Sequence, residues 1–313
     1  MKCILCGDEK SFENVSHTDA KSSGQILVVI CGNCGLVQQS PIPSTDELKV
    51  YYSHHYRKEY KDTYSPKSKH IYRAGKIAVQ RINFLKEAGV LNGTLLDVGA
   101  GGGEFVYLAE RLGFQAQGIE PNIGYSEYAK SEYGCNIMTL ELEDVTNTYD
   151  IITIFHVLEH LPSPMRAFEK LYSLLNKNGK LFIEVPWIEA NNASPNNIYF
   201  KAHIFYFSAD TLISCASRFF NVLMVDTSSN LKILLEAKEE ESTPVLPSTE
   251  SVTRIKKRLA DKNWFEYMFP GKGYLKPITK ILRAIEESKA NGIAPKAILD
   301  GFIPNCSFRG LFL

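Results

Sequence analysis

The hydrophobic pattern is most regular from Thr94 onward, where short apolar runs alternate with amphipathic stretches. Apolar runs over 94–98, 116–119, 136–140, 150–155 and 180–185 predict strands. Helical spacing over 104–112, 123–133, 164–175 and 209–218 predicts the helices between and after them, the third entered through Ser163-Pro164. Two further apolar runs, 222–225 and 232–236, fit an antiparallel pair closing the sheet. Strand alternating with helix implies an α/β fold, a doubly wound and mostly parallel sheet.

The flanks read differently. Residues 1–40 are short, polar and turn-rich, with one strand-like run over 25–30. Pro41 and Pro43 break the chain. Ser44 then stands three before Glu47, the spacing of a capping box, and predicts an aromatic, basic helix over 48–61. A second helix is expected over 67–87, with Gly89 as its stop. Beyond 238 the chain opens on Glu239-Glu240-Glu241 with Pro244 and Pro247, a solvated linker, before helical stretches near 250–266 and 278–290. Four segments result: 1–40, a 41–90 helical lid or linker, a 91–238 α/β domain, and a 239–313 helical extension carrying no catalytic signature.

Composition narrows the class. With 44% hydrophobic and 22% charged residues, the chain is an ordinary globular protein. No apolar run reaches the ~18 residues of a membrane span, and the start carries no signal-like apolar stretch, so a cytoplasmic location is expected. The formal net charge of zero is unevenly spread: residues 91–238 hold 10 Lys+Arg against 17 Asp+Glu. An acidic central segment argues against a nucleic-acid substrate.

Cysteine usage is bimodal. Cys135, Cys215 and Cys306 are scattered and read as buried fillers. Cys3-x-x-Cys6 and Cys31-x-x-Cys34, with 24 residues between the pairs, form two knuckles that Gly7, Gly32 and Gly35 permit to turn. Two such knuckles supply four soft thiolates to a closed tetrahedral zinc site, structural because no coordination position stays open. The zinc would give the small ribbon a cohesion that forty residues could hardly draw from a core of their own. His17, His54 and His55 read as surface residues rather than alternative ligands.

The stretch Leu95-Leu96-Asp97-Val98-Gly99-Ala100-Gly101-Gly102-Gly103-Glu104 is the most informative. An apolar strand runs into a glycine turn on which a ligand can lie against backbone amides. From Gly99 it reads G-x-G-x-x-E, so Glu104 stands where a dinucleotide fingerprint has Gly or Ala. A carboxylate there would occupy the positive helix end that a pyrophosphate needs. Asp97 could balance a cationic ligand group, which favours S-adenosylmethionine (SAM) over NAD. Glu120, at the end of the next strand and before Pro121, sits where a carboxylate receives a ribose diol.

Together with His156-Val157-Leu158-Glu159-His160-Leu161-Pro162 after the fourth strand, these motifs resemble the class I SAM-dependent methyltransferases over about residues 91–238. The resemblance implies a seven-stranded Rossmann-like sheet with a reversed last strand. It also implies that Asp97, Gly99, Ala100, Gly101 and Gly103 meet the amino-acid end of SAM, Glu120 and Pro121 the ribose, Glu141 and Leu142 the adenine, and that His156 lies beside the methyl group. The run Cys31-x-x-Cys34-Gly35-Leu36-Val37, then Pro41-x-Pro43-Ser44 and Tyr51-Tyr52 to Tyr56, is similar to zinc-ribbon methyltransferases of sugar and cell-surface polysaccharide pathways. Relatives that methylate carbon carry Tyr-Glu-His after the fifth strand; here Lys201-Ala202-His203 keeps only the His, which leaves O-methylation as open as C-methylation.

Methyl transfer needs the nucleophile, methyl carbon and sulfur in line, and a proton removed if the nucleophile is a hydroxyl. His203 is the first candidate base, with His156, His160 and Glu159 as the other members of the catalytic set. The aromatic run around His203 could wall the acceptor pocket. Tyr51, Tyr52 and Tyr56 either cover SAM or pack as helix aromatics. The expected acceptor is small and carbohydrate-derived. An RNA methyltransferase that grips with the ribbon, and a non-catalytic SAM-binding scaffold, are the rival readings. The extension could serve homodimerisation or substrate binding.

Overall fold

The computed structural model describes residues 1–22, 24–44, 47 and 66–303. The helix expected over 48–61, with Tyr51, Tyr52, His54, His55 and Tyr56, lies outside them, as does Cys306. The predicted capping box is formed: Ser44 N–H and Oγ each donate to the Glu47 carboxylate at 2.8 Å, and Glu47 N–H donates back to Ser44 Oγ at 3.3 Å.

The main sheet has seven strands: β4 (Gly93–Val98), β5 (Phe114–Ile119), β6 (Ile137–Met138), β7 (Tyr149–Phe155), β8 (Leu175–Val185), β10 (Phe220–Asp226) and β11 (Leu231–Ala237), in the order β10-β11-β8-β7-β4-β5-β6. β4 runs parallel to β5 and β7, and β5 parallel to β6. β10 and β11 pair antiparallel, as the sequence predicts. This is the mostly parallel, Rossmann-like sheet that the sequence predicts, with its last pair antiparallel. Its middle strands are buried along nearly their whole length, which is why they read as continuous apolar runs. Strand β6 is shorter than the expected 136–140 run, with only two residues in the ladder.

Three helices flank the sheet in register with the predicted pattern: α2 (Glu104–Arg111), α3 (Ile123–Tyr133) and α4 (Pro164–Ser173). α3 begins where Asn122 accepts from Tyr125 N–H. α5 (Ala209–Ala216) starts on a capping box of Ser208 and Thr211.

By its contacts the chain forms two compact units. One holds 57–154, 174–182 and 277–313, with β4 to β6 and the long helix α1 (Ser68–Glu87). Within it, α8 (Lys276–Ser288) and α9 (Pro295–Asp300) reach α1: Arg73 Nε donates to Glu287 at 2.8 Å and Lys76 to Glu286 at 2.7 Å. An added Cβ at Gly75 would meet Phe302 at 2.7 Å, so α1 and the end of the extension pack tightly.

The other unit holds 1–56, 155–173 and 183–276. Its own sheet is β1-β2-β3-β9, from β1 (Phe12–Thr18), β2 (Gln25–Cys31), β3 (Val37–Gln39) and β9 (Phe205–Tyr206). The sequence predicted only β2. β1 has no fully buried residue and so carries no apolar signal, and β3 is three residues long. β9 falls within the aromatic run around His203. Ile204, Phe205, Tyr206 and Phe207 are all buried, so the run is core of the ribbon sheet rather than an open pocket wall. The ribbon core is borrowed: Ile26, Val28, Ile30 and Val37 pack with Ile188, Tyr206 and Ile255. Ile255 comes from α6 (Thr249–Ala260), so this part of the extension completes the ribbon. The helical stretch expected over 250–266 is broken after 260, with the short α7 (Trp264–Met268) following Asn263.

Candidate active site and four-cysteine centre

The loop after β4 is built almost entirely from backbone. Gly101 takes φ +52°, where an added Cβ would meet nothing within 4 Å, so open space lies over its backbone. Gly103 caps α2 at φ +85°, and a Cβ there would stand 2.7 Å from Ala129 Cβ. Gly101 therefore leaves room for a ligand, while Gly103 permits close packing. Gly99 N–H and Ala100 N–H both donate to Ile119 O at 2.9 Å, which ties the loop to the end of β5.

Glu120 links the two predicted halves of this site. Its Oε2 accepts from Gly101 N–H and its Oε1 from Asn122 N–H, each at 2.9 Å. Burial pushes its pKa up, those two N–H groups offset part of the rise, and the charge of nearby Glu141 adds to it. Pro121 follows directly, and Leu142, buried, opens a short turn after β6. Asp97 is buried, and its Oδ1 accepts from Thr153 Oγ at 2.7 Å. Burial pushes its carboxyl up to about 7, against the Thr153 hydroxyl and the Arg81 charge. Thr153, inside apolar β7, is the partner the sequence reading missed; a hydroxyl in a fully buried strand was its signal. Glu104 folds back over Gly102, its carboxylate 2.8 Å from where a Cβ would stand. A carboxyl group does occupy the helix entrance, where burial pushes its pKa up, and it takes the place that a dinucleotide phosphate would need. An open groove of about 760 Å³ in this unit lies at the opposite edge, where β4, β5 and β7 begin near Thr94, Phe114 and Tyr149, and carries none of these groups.

The second unit gathers the histidines. His156, at φ +55°, is a non-glycine residue in the left-handed region, a strain that marks functional turns. Its N–H donates to Glu184 O at 2.8 Å, and its ring stands 3.5 Å from Glu159 Oε1 and 3.4 Å from Glu184 Oε1. Burial lowers its pKa, but the two carboxylates win and raise it to about 9. His203 moves the other way: burial, with the His160 charge, lowers it to about 4, so its ring is neutral at physiological pH. Glu159 is 1% exposed; burial would raise its pKa, yet His156 and the other histidine charges hold it below the usual carboxylate range.

The two histidine segments are clipped together. Ile204 N–H donates to Glu159 O at 2.8 Å, and His160 Nδ1 bonds Ala202 O at 2.8 Å. The ribbon holds the same loop: Gln39 Nε2 donates to the carbonyls of Phe200, Lys201 and His203 at 3.1, 2.9 and 2.8 Å. Lys201 N–H donates to Asp19 Oδ1 at 2.7 Å. Gln39 and Asp19 were invisible to sequence reasoning, because nothing local to them signals a partner some 160 residues away. Glu184, with Asn230 Nδ2 at 2.7 Å, was also missed, although a carboxylate inside apolar β8 is a readable anomaly.

The four N-terminal sulfurs converge. Cys3 and Cys34 Sγ are 3.5 Å apart, Cys6 and Cys31 Sγ 3.6 Å, and all four lie within 4.8 Å of one another. Thiolates about 2.3 Å from a tetrahedral zinc stand about 3.8 Å apart, so the set fits that ion. Three of the four cysteines are fully buried.

Residues 69–223 match a family model described as a methyltransferase domain. Over these residues, just under half of the chain, the sequence is similar to methyltransferase domains, in keeping with the Rossmann-like sheet. The ubiquinone biosynthesis O-methyltransferase of Coxiella burnetii is 27% identical over 135 residues, 40% of this chain and 53% of the relative. The putative methyltransferase 235L of Invertebrate iridescent virus 6 is 26% identical over 128 residues, 39% of this chain and 48% of its own. The chain thus spans about half the length of the curated relatives it matches. Among solved structures, the magnesium protoporphyrin IX methyltransferase of Synechocystis with bound SAM aligns with a TM-score of 0.44 at 17% identity, covering 62% of this chain and 97% of that one. No helix among the described residues is long and apolar enough to cross a membrane.

Proposed function

We propose that this protein transfers a methyl group from SAM to a small, carbohydrate-derived acceptor, at oxygen or carbon, with a structural zinc in the ribbon. The observation that carries the methyl-transfer reading is Glu120, held by Gly101 N–H at the glycine turn, on a loop whose helix entrance is already occupied by Glu104. The acidic helix entrance favours a ligand with no phosphate, and Asp97 favours one carrying an ammonium. Gly99, Ala100 and Gly101 would hold the amino-acid end, Glu120 the ribose hydroxyls, and Glu141 and Leu142 the adenine edge. SAM supplies the activated methyl. His203, neutral through burial, acts on the acceptor's proton, while Glu159 and His156 set the charge around it.

A carbohydrate acceptor rests on the resemblance of the ribbon segment to sugar and polysaccharide methyltransferases. The acidic central segment supports a small molecule over RNA. The test is S-adenosylhomocysteine release with a panel of nucleotide-linked sugars and, separately, with RNA. Turnover with a sugar acceptor is expected; turnover with RNA alone, weakened steeply by salt, would replace this reading by the nucleic-acid one. For the ribbon, protein purified without chelators is expected to hold at least one zinc per chain, lost in Cys31→Ser with unfolding of the ribbon.

A further inference from the structure

Glu159 is a problem as it stands. Its side chain is 1% exposed, and neither carboxylate oxygen has a hydrogen-bond partner. Its ion pairs, with His156 at 3.5 Å and His160 at 3.8 Å, are long and add no hydrogen bond, so they offset the cost of burying the carboxylate only in part and the site suits a further ligand. The other buried side chains without partners among the described residues, Gln38 and Trp187, are neutral. Around Glu159 the histidines stand at contact but not bonding distance: 3.5 Å for His156 Nδ1 and 3.8 Å for His160 Nε2.

The arrangement suits a cation better than a proton network. One ligand atom from each of Glu159, His160 and His203 falls within a 4.8 Å cluster. The His160 and His203 rings meet edge to face with centroids 4.9 Å apart. His160 is oriented by its Nδ1 bond to Ala202 O at 2.8 Å, the outer contact that metal-ligating histidines make and that aims the other ring nitrogen inward. His203 is set by Gln39, which binds its carbonyl at 2.8 Å, and by the Glu159–Ile204 backbone bond.

The geometry points to a second metal site, distinct from the four cysteines, in which Glu159, His160 and His203 bind a divalent transition cation. Two imidazoles and one carboxylate suit Zn²⁺, Co²⁺, Fe²⁺ or Mn²⁺ and leave positions open for oxygen ligands. This deepens the proposed function and, for its role though not for its existence, rests on it. An acceptor hydroxyl taking an open position would be acidified by the cation and lose its proton to solvent water, so that His203 would act on that proton as a ligand of the metal and not by accepting it. Adjacent hydroxyls, as sugars carry, could fill two such positions.

The test is Co²⁺ titration of the metal-free full chain, without SAM or acceptor. Thiolate-to-cobalt charge-transfer absorption reports the cysteine site, and visible d–d absorption reports every bound Co²⁺. The expected result is saturation at about two Co²⁺ per chain, the charge-transfer band being complete after about one. Glu159→Gln and His203→Ala should each lose the second equivalent and keep the charge-transfer band, which also shows the ribbon intact. His203 is only half-buried, so His203→Ala keeps the test decisive if Glu159→Gln does not fold. Saturation at one equivalent in the wild type, or a second equivalent retained in His203→Ala, overturns the site. Failure of methyl transfer leaves this readout untouched, so the two can fail separately.

Discussion

The loop after β4 and the loop after β7 both follow parallel strands of one sheet, yet they solve opposite problems. The first is made of glycine and backbone, and its carboxylates are satisfied: Glu120 by two N–H groups, Asp97 by Thr153. The second is made of ionisable side chains on a strained turn, and its central carboxylate, Glu159, is left without a hydrogen bond. A satisfied, backbone-lined loop is suited to holding one ligand in one shape. A loop whose charges are held by long ion pairs and not by hydrogen bonds is suited to chemistry, where protons or cations come and go. The difference also explains the ribbon: its Gln39 and Asp19 brace the chain around His203, so the ribbon serves the second loop.

The largest expected effect would break the comparison at its chemical end. His203→Ala should lower turnover by roughly 10²–10⁴-fold while leaving SAM affinity intact. Steady-state kinetics with calorimetry on the same preparation checks this; loss of SAM binding and thermal stability together would make His203 a structural residue. The glycine pair sharpens the other end. Gly103→Ala forces a Cβ to 2.7 Å from Ala129 and should cost roughly 1–3 kcal/mol of stability from overpacking alone. Gly101→Ala meets open space and should cost only about 1–2 kcal/mol for its left-handed φ, yet it should weaken SAM binding by placing a methyl where the ligand lies. Thermal melts with and without SAM separate the two, and a Gly101→Ala chain that binds SAM normally would move the ligand off this loop.

A smaller effect is set by pH. Asp97 is pushed up to about 7 from an ordinary 3.8, so the folded chain holds a proton there that the unfolded chain has released. Folding stability from this group is therefore present below about pH 4 and is lost as pH rises toward 7. An ammonium ligand prefers the carboxylate, so SAM affinity should rise with pH up to about 7, at most about tenfold per unit, and then level off. Asp97→Asn should flatten that dependence. Calorimetric Kd values from pH 5.5 to 8 provide the check, and a flat wild-type profile would mean that Asp97 does not meet the ammonium.

The sheet was legible in the sequence because parallel strands buried on both faces leave apolar runs such as those of β4 and β7, and glycine turns mark where they end. The glycine loop proposed to hold SAM was legible for the same reason, since its partners are local or one strand away. β1, β3 and β9 were not, being solvated or too short for a period to develop. The bracing of His203 was equally hidden. It depends on Gln39 reaching three backbone carbonyls far along the chain, and a carbonyl carries no sequence signature. The extension, silent as a sequence, divides between two jobs: α6 fills the ribbon core, while α8 and α9 pack on α1.

The most direct test of the central claim is calorimetric titration of the wild type and Glu120→Ala with SAM and with NAD. The wild type is expected to bind SAM and not NAD, and removing the Glu120 carboxylate to weaken SAM binding by roughly 1.5–3 kcal/mol through loss of its charge-assisted hydrogen bonds to the ribose. Unchanged SAM affinity in Glu120→Ala, or NAD binding by the wild type in place of SAM, would contradict that claim.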